Sequence, residues 1–178
     1  VSEIHSQLED INYIDKKDYK GVEIELSNKV DYDLNFLNNP ERIVLDLQGT
    51  SIYKKIKQLK LDNKLIKGVR VAQFNSSTAR VVLDLFANVN YKLVEEKTGD
   101  THKYLLKLSP IITNIDYDNS AIAIDATRPI GATSVTYLTD PLRAVIDIKN
   151  VALEKYQKLK INSPDIKQIR LSQYKTEP

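Results

Sequence analysis

The sequence predicts an all-β protein built as two tandem small β-sandwich repeats, with at most short helical turns. Three observations predict it. The chain repeats itself at an offset of 100 to 101 residues. Apolar and polar residues alternate through run after run, the period of a half-buried strand. Asn, Asp, Pro and Gly punctuate those runs as turns do.

The repeat is found by laying the chain on itself. Phe36–Leu47 reads FLNNPERIVLDL and Tyr137–Ile148 reads YLTDPLRAVIDI, so Pro40, Arg42, Val44 and Asp46 return as Pro141, Arg143, Val145 and Asp147. Gln58–Phe74 aligns without a gap to Lys158–Tyr174. There Leu59, Lys60, Ile66, Lys67, Arg70 and Gln73 return as Leu159, Lys160, Ile166, Lys167, Arg170 and Gln173. Upstream, Ile11–Asp15 (INYID) echoes Ile112–Asp116 (ITNID).

Along the chain, Val22–Leu26 alternates as a strand, and Asn38-Asn39-Pro40 supplies a turn before the next. In Arg42–Leu47 one face carries Arg42, Val44 and Asp46 and the other Ile43, Leu45 and Leu47. Ser51–Leu61 is the best helix candidate, with Ile52, Ile56 and Leu59 near helical spacing. A helical turn followed by a short strand at 58–61 is the expectation there. Arg80–Leu85 repeats the strand pattern, and Val89–Val94 with His102–Leu108 flank Lys97-Thr98-Gly99-Asp100 as a hairpin. Ala121–Asp125 and Arg143–Ile148 are strands again, and Val151–Ile161 is only loosely helical. The expected organisation is an N-terminal tail over 1–10, repeat 1 over 11–108 and repeat 2 over 111–178. Repeat 2 lacks the last strand motif, because Gln173-Tyr174 is followed only by a few residues. Pro110 at the joint cannot continue a central ladder.

Composition narrows the function. Apolar residues make up 42% and charged residues 28%, an ordinary globular mixture. Lys+Arg 26 against Asp+Glu 24 leaves +2, interleaved rather than clustered, which argues against nucleic acid as a partner. The absence of cysteine removes disulfides, thiolate metal sites and thiol nucleophiles. The chain begins at Val1 without an apolar signal segment, as a trimmed mature protein would, so an export signal or lipid anchor would lie outside it.

The three motifs Pro40–Leu47, Ile66–Phe74 and Thr78–Leu85, in that order, resemble the AMIN domain, a module found on N-acetylmuramoyl-alanine amidases and pilus secretins. The resemblance covers residues 11–108 and, in a more divergent form softened by Ala144 and Leu171, 112–174. It implies a small β-sandwich without chemistry of its own that binds peptidoglycan or positions an envelope enzyme, outside the cytoplasm at a bacterial cell envelope.

Catalysis is not expected. The histidines, His5 and His102, are far apart in sequence and lack the spacing of a zinc site. No phosphate-binding glycine loop and no G-x-S-x-G elbow occur. Neighbouring acids such as Glu95-Glu96, or Glu23 with Glu25, read as solvated strand charges. No catalytic residue, metal or cofactor is therefore assigned.

The candidate binding residues are Arg42, Arg70, Gln73, Phe74, Arg80, Arg143, Arg170, Gln173 and Tyr174. Arg42 and Asp46 share a strand face but lie ~13 Å apart, at ~3.3 Å per residue, so they can pair only across strands, Arg42 with Asp84 for instance. Such triplets either form a ladder of ion pairs or present arginine forks to the carboxylates of a glycan-peptide polymer. Arg70 beside Phe74 makes either a cation–aromatic binding surface or a core aromatic with a snorkelling arginine.

Two function classes follow. The chain docks on and regulates a cell-wall amidase or another envelope protein, as a sporulation or wall lipoprotein would. Alternatively it is a peptidoglycan-targeting domain of a larger amidase or secretin. The incomplete second repeat favours the first and brings an expectation of association, with Arg80–Leu85 lent across a strand-swapped homodimer.

Overall fold

The structure is a computed structural model that describes residues 3, 5–16, 19–53, 56, 58–61, 65–131 and 133–174. The chain divides into two compact units, Val1–Leu108 and Ser109–Pro178. Among the described residues there is no helix. In the stretch read as a helical turn, residues 54, 55 and 57 lie outside the described set, and the rest are short strands and irregular backbone.

Unit 1 holds β1 (Ser6–Asp15), β2 (Lys20–Leu26), β3 (Tyr32–Leu37), β4 (Arg42–Gln48), β5 (Thr50–Ser51), β6 (Leu59–Lys60), β7 (Ile66–Asn75), β8 (Thr78–Leu85), β9 (Asn90–Thr98) and β10 (Thr101–Ser109). One sheet runs in the order β5-β1-β2-β10-β9 and the other β3-β4-β8-β7-β6. The first strand begins at Ser6, within the stretch expected as a tail, and buries Ser6 and Leu8. Short alternating runs joined by Gly- and Pro-bearing turns fold into antiparallel neighbours. The exception in the first sheet is β5, which runs parallel to the start of β1.

The alternation read from sequence is the sandwich core. Ile43, Leu45 and Leu47 of β4 and Ala79, Val81, Leu83 and Leu85 of β8 are fully buried. They share one cluster with Val22, Ile24 and Leu26 of β2 and Tyr104 and Leu106 of β10. Each such Val, Leu or Ile side chain contributes ~1.5–3 kcal/mol of burial. Two details fix how the first sheet packs. A Cβ on Gly21 would lie 2.2 Å from the Leu106 carbonyl oxygen, so only glycine lets β2 and β10 approach. The buried Tyr104 hydroxyl donates to the Val30 carbonyl (2.7 Å) and accepts from the Val30 N–H (3.1 Å), pinning the loop before β3.

Unit 2 holds β11 (Ile111–Asp118), β12 (Ala121–Ala126), β13 (Thr133–Thr139), β14 (Leu142–Ile148), β15 (Ala152–Leu153), β16 (Gln157–Lys160) and β17 (Gln168–Leu171). These repeat the first seven strands of unit 1 in kind. β11 pairs antiparallel with β12 after a register shift near its start, as β1 does with β2. β15 runs parallel to β11 as β5 does to β1. Leu138 faces Arg143 as Leu37 faces Arg42, and Leu159 faces Ile169 as Leu59 faces Val69.

The difference lies in how the pieces are joined. In unit 1, β8 stands between β4 and β7 and makes one sheet of them. In unit 2, β13-β14 and β16-β17 are separate two-stranded sheets among the described residues. Ile112 and Ile115 are buried there, while Ile146, at the position of the fully buried Leu45, is 43% exposed.

Candidate functional site

Four of the sequence-derived candidates of repeat 1, Arg42, Arg70, Phe74 and Arg80, gather on the outward face of β4, β8 and β7. Alternation forces this: with Val81, Leu83 and Leu85 in the core, Arg80, Val82 and Asp84 must point outward. The register then sets Asp46 opposite Arg80 and Arg42 opposite Asp84 across β4 and β8, and Ala72 opposite Arg80 across β8 and β7.

Two bidentate ion pairs result. Arg80 grips Asp46 through Nε and Nη2, both at 2.7 Å. Arg70 grips Asp84 through the same two nitrogens at 2.7 and 2.8 Å. The hydrogen bonds that the guanidiniums donate to these carboxylates hold both pKa values above their ordinary range. The pairing anticipated between Arg42 and Asp84 is not the one formed. Those residues are register neighbours, but the Asp84 carboxylate is taken by Arg70, and Arg42 donates instead to the Pro40 carbonyl (3.1 Å).

Phe74 is 55% exposed, so the core-aromatic alternative does not hold. Its cation is also a different one. Arg70 and Phe74 sit on one strand ~13 Å apart. Arg80, reaching diagonally from β8, stacks over the ring with its guanidinium carbon 3.5 Å from the centroid. Sequence reasoning within one strand missed this pair; the signal lay in the cross-strand offset between β7 and β8. A second ring, Phe86, lies under the Lys67 ammonium at 5.3 Å.

Gln73 does something else. Its Oε1 accepts from the Ile52 N–H (2.9 Å), and its Nε2 donates to the Thr50 (3.0 Å) and Asn75 (2.9 Å) carbonyls. The side chain clips the segment after β5 to the end of β7. Gln173 repeats the clip, accepting from the Leu153 N–H (2.9 Å) and donating to the Val151 carbonyl (3.4 Å).

In unit 2 the remaining candidates, Arg143, Arg170 and Tyr174, are brought to the surface. Arg143, Arg170 and Asp147, which correspond to Arg42, Arg70 and Asp46, are exposed and have no ion pair among the described residues. Tyr174, the counterpart of Phe74, is 86% exposed.

The opposite sheet of unit 1 carries a polar cluster around Glu23 and Glu25, the acids read from sequence as solvated strand charges. Lys103 bridges Glu25 (2.8 Å) and Glu23 (3.1 Å), and Lys107 lies 4.5 Å from the Tyr19 ring centroid. Chemically, these faces offer ion pairs and aromatic rings. Among the described residues, no group of three or more His, Asp or Glu side chains converges as metal ligands would.

Comparison with known proteins matches this architecture. The AMIN domain profile matches residues 10–105 and again 112–177. The chain is also 34% identical over 79 residues to the N-acetylmuramoyl-L-alanine amidase AmiC of Escherichia coli O6:H1, an alignment covering 42% of this chain and 19% of that amidase. The chain thus spans about a fifth of the length of that relative.

Proposed function

The chain belongs to the AMIN domain family, and from that premise we propose that it is a non-catalytic cell-envelope module that docks on a peptidoglycan amidase and regulates it. It acts outside the cytoplasm, where the wall and its amidases meet. The similarity to an amidase, shared over a fraction of that enzyme's length, supports an accessory role.

The observation that carries docking on protein over binding to polymer is how the arginines of unit 1 are used. Arg70 and Arg80 have both forks closed on Asp84 and Asp46, so neither presents a free bidentate donor to a wall carboxylate. What the face offers instead is an exposed Phe74 ring with a stacked cation and flanking charges. Aromatic anchors with an arginine, rimmed by polar residues, are the make-up of a protein interface.

Peptidoglycan targeting remains the second reading, favoured by Arg143 and Arg170 of unit 2. Their guanidiniums are exposed without a carboxylate partner among the described residues, as stem-peptide carboxylates would require. Co-sedimentation with purified peptidoglycan sacculi, run beside pull-down with a purified amidase catalytic domain of the same bacterium, separates the two. Docking predicts retention on the amidase that Phe74→Ala weakens and no pelleting with sacculi. Pelleting with sacculi alone would overturn it.

A further inference from the structure

The outward face of unit 1 uses some of its charges and leaves others over. Strand pairing sets one row across it: Arg42 of β4 opposite Asp84 of β8, Asp84 opposite Gly68 of β7, and Gly68 opposite Lys60 of β6. Leu59 packs on the core, so its neighbour Lys60 points outward with Arg42 and Asp84. Arg70 reaches into the row and takes the Asp84 carboxylate with two nitrogens. Gly68 brings no side chain, and a Cβ there would lie 2.8 Å from the Leu59 carbonyl oxygen. Arg42 and Lys60 are left at the two ends of the row with no ion pair among the described residues. Their Cα atoms stand about 14 Å apart, three strand spacings of ~4.8 Å.

Lys67 joins them. It is exposed, forms no ion pair among the described residues, and lies over the ring of Phe86, which is 42% exposed. Glu41, beside Arg42 in sequence, accepts the Leu85 N–H through its backbone carbonyl. Asp46 and Asp84, on β4 and β8, are both closed by arginines. This end of the face therefore carries an excess of positive charge.

Recurrence sets the three cations apart. Arg42, Lys60 and Lys67 return as Arg143, Lys160 and Lys167, and Lys160 faces Gln168, which stands at the position of Gly68. Of the other residues that return in Gln58–Phe74, Leu59 and Ile66 pack in the core, Arg70 holds Asp84, and Gln73 clips backbone. Each of those has an internal task. The three cations have no internal carboxylate to hold, and their retention in both copies points to a partner outside the chain.

We propose that Arg42, Lys60 and Lys67 form an electropositive site that receives an acidic surface of the amidase, whose carboxylates meet the cations and whose apolar groups meet Phe86. The site rests on the amidase-docking reading and extends the docking face from Phe74 to the far end of β8. Protein fits this face better than an anionic polymer does. A chain of repeating negative charges laid along it would run over the carboxylates of Asp46 and Asp84. A folded partner places acids only opposite the cations.

Lys60→Glu with Lys67→Glu, and separately Arg42→Glu, set acids where the acids of the partner would sit. All three side chains lie outside the core, so thermal melting should stay close to that of the parent chain. Surface plasmon resonance reads binding of the full chain to the purified amidase catalytic domain of the same bacterium. The double exchange should weaken it roughly tenfold or more, mostly through slower association, and Arg42→Glu should weaken it in the same direction. Parent binding should weaken between about 50 and 300 mM salt, and the double exchange should flatten that dependence. A carbodiimide should couple Lys60 or Lys67 to aspartates or glutamates of the amidase, located by mass spectrometry. Binding that both reversals leave unchanged, while Phe74→Ala still weakens it, would overturn the electropositive site and leave docking standing. No binding by the parent chain would overturn docking and the site together. Reversals that spare amidase binding but abolish pelleting with sacculi would assign the cations to an anionic wall polymer and overturn the proposal.

Discussion

The guanidinium of Arg80 lies flat over the Phe74 ring, 3.5 Å from its centroid, while its nitrogens hold Asp46. One side chain thus ties three strands of a sheet face together. The ring itself remains largely open to solvent.

Because Phe74 stands outside the core, Phe74→Ala should cost little stability, about 1 kcal/mol or less, for the lost cation–ring contact. A fully buried aromatic would cost ~3–5 kcal/mol. Urea denaturation of the variant reads the difference directly, and a loss in the larger range would place the ring in the core.

The two units should respond differently to the same truncation. Leu83→Ala empties a fully buried position in unit 1 and should cost ~2–5 kcal/mol. Ile146→Ala, in the motif of the second copy, removes a side chain that is already 43% exposed and should cost ~1 kcal/mol or less. Thermal unfolding followed by circular dichroism checks both.

Tyr104 makes the fold sensitive to alkali. Burial raises its phenol pKa above the ordinary value of 10.0. The folded chain therefore holds that proton more tightly than the unfolded chain does. The resulting stabilisation is complete below pH ~10 and is lost as pH rises through the folded value. Lys103, raised by its hydrogen bonds to Glu25 and Glu23, acts in the same direction. Melting curves from pH 8 upward should show stability falling on the alkaline side. Tyr104→Phe should reduce that slope. It should also cost ~1–3 kcal/mol at neutral pH, by leaving the Val30 backbone groups unpaired.

Much of the architecture was legible because alternation is a local signal. Arg42–Leu47, Arg80–Leu85 and Arg143–Ile148 could be read as strands from their own residues, and repetition supplied the second unit. The partners of the outward charges were not legible in that way. Which aspartate Arg70 takes, and which cation covers Phe74, depend on register between strands, and the shift between Gln73 and Asn75 in the β7–β8 pairing is invisible in one strand's sequence. The start of β1 was missed for a related reason. Ser6 and Leu8 are buried against neighbours supplied from elsewhere in the chain, including the β5 strand formed by Thr50 and Ser51. Gln73 and Gln173 were singled out because they recur, and recurrence alone does not distinguish a backbone clip from a contact with a partner.

The chain is proposed to act on an amidase and not on the wall itself. The most direct measurement is the rate at which a purified peptidoglycan amidase of the same bacterium releases new amino termini from sacculi, with and without this chain, beside the chain alone with added zinc. Docking and regulation predict no release by the chain alone and a changed amidase rate that saturates with added chain and is blunted by Phe74→Ala. Release by the chain alone, or an amidase rate that the chain leaves unchanged at every concentration, would contradict it.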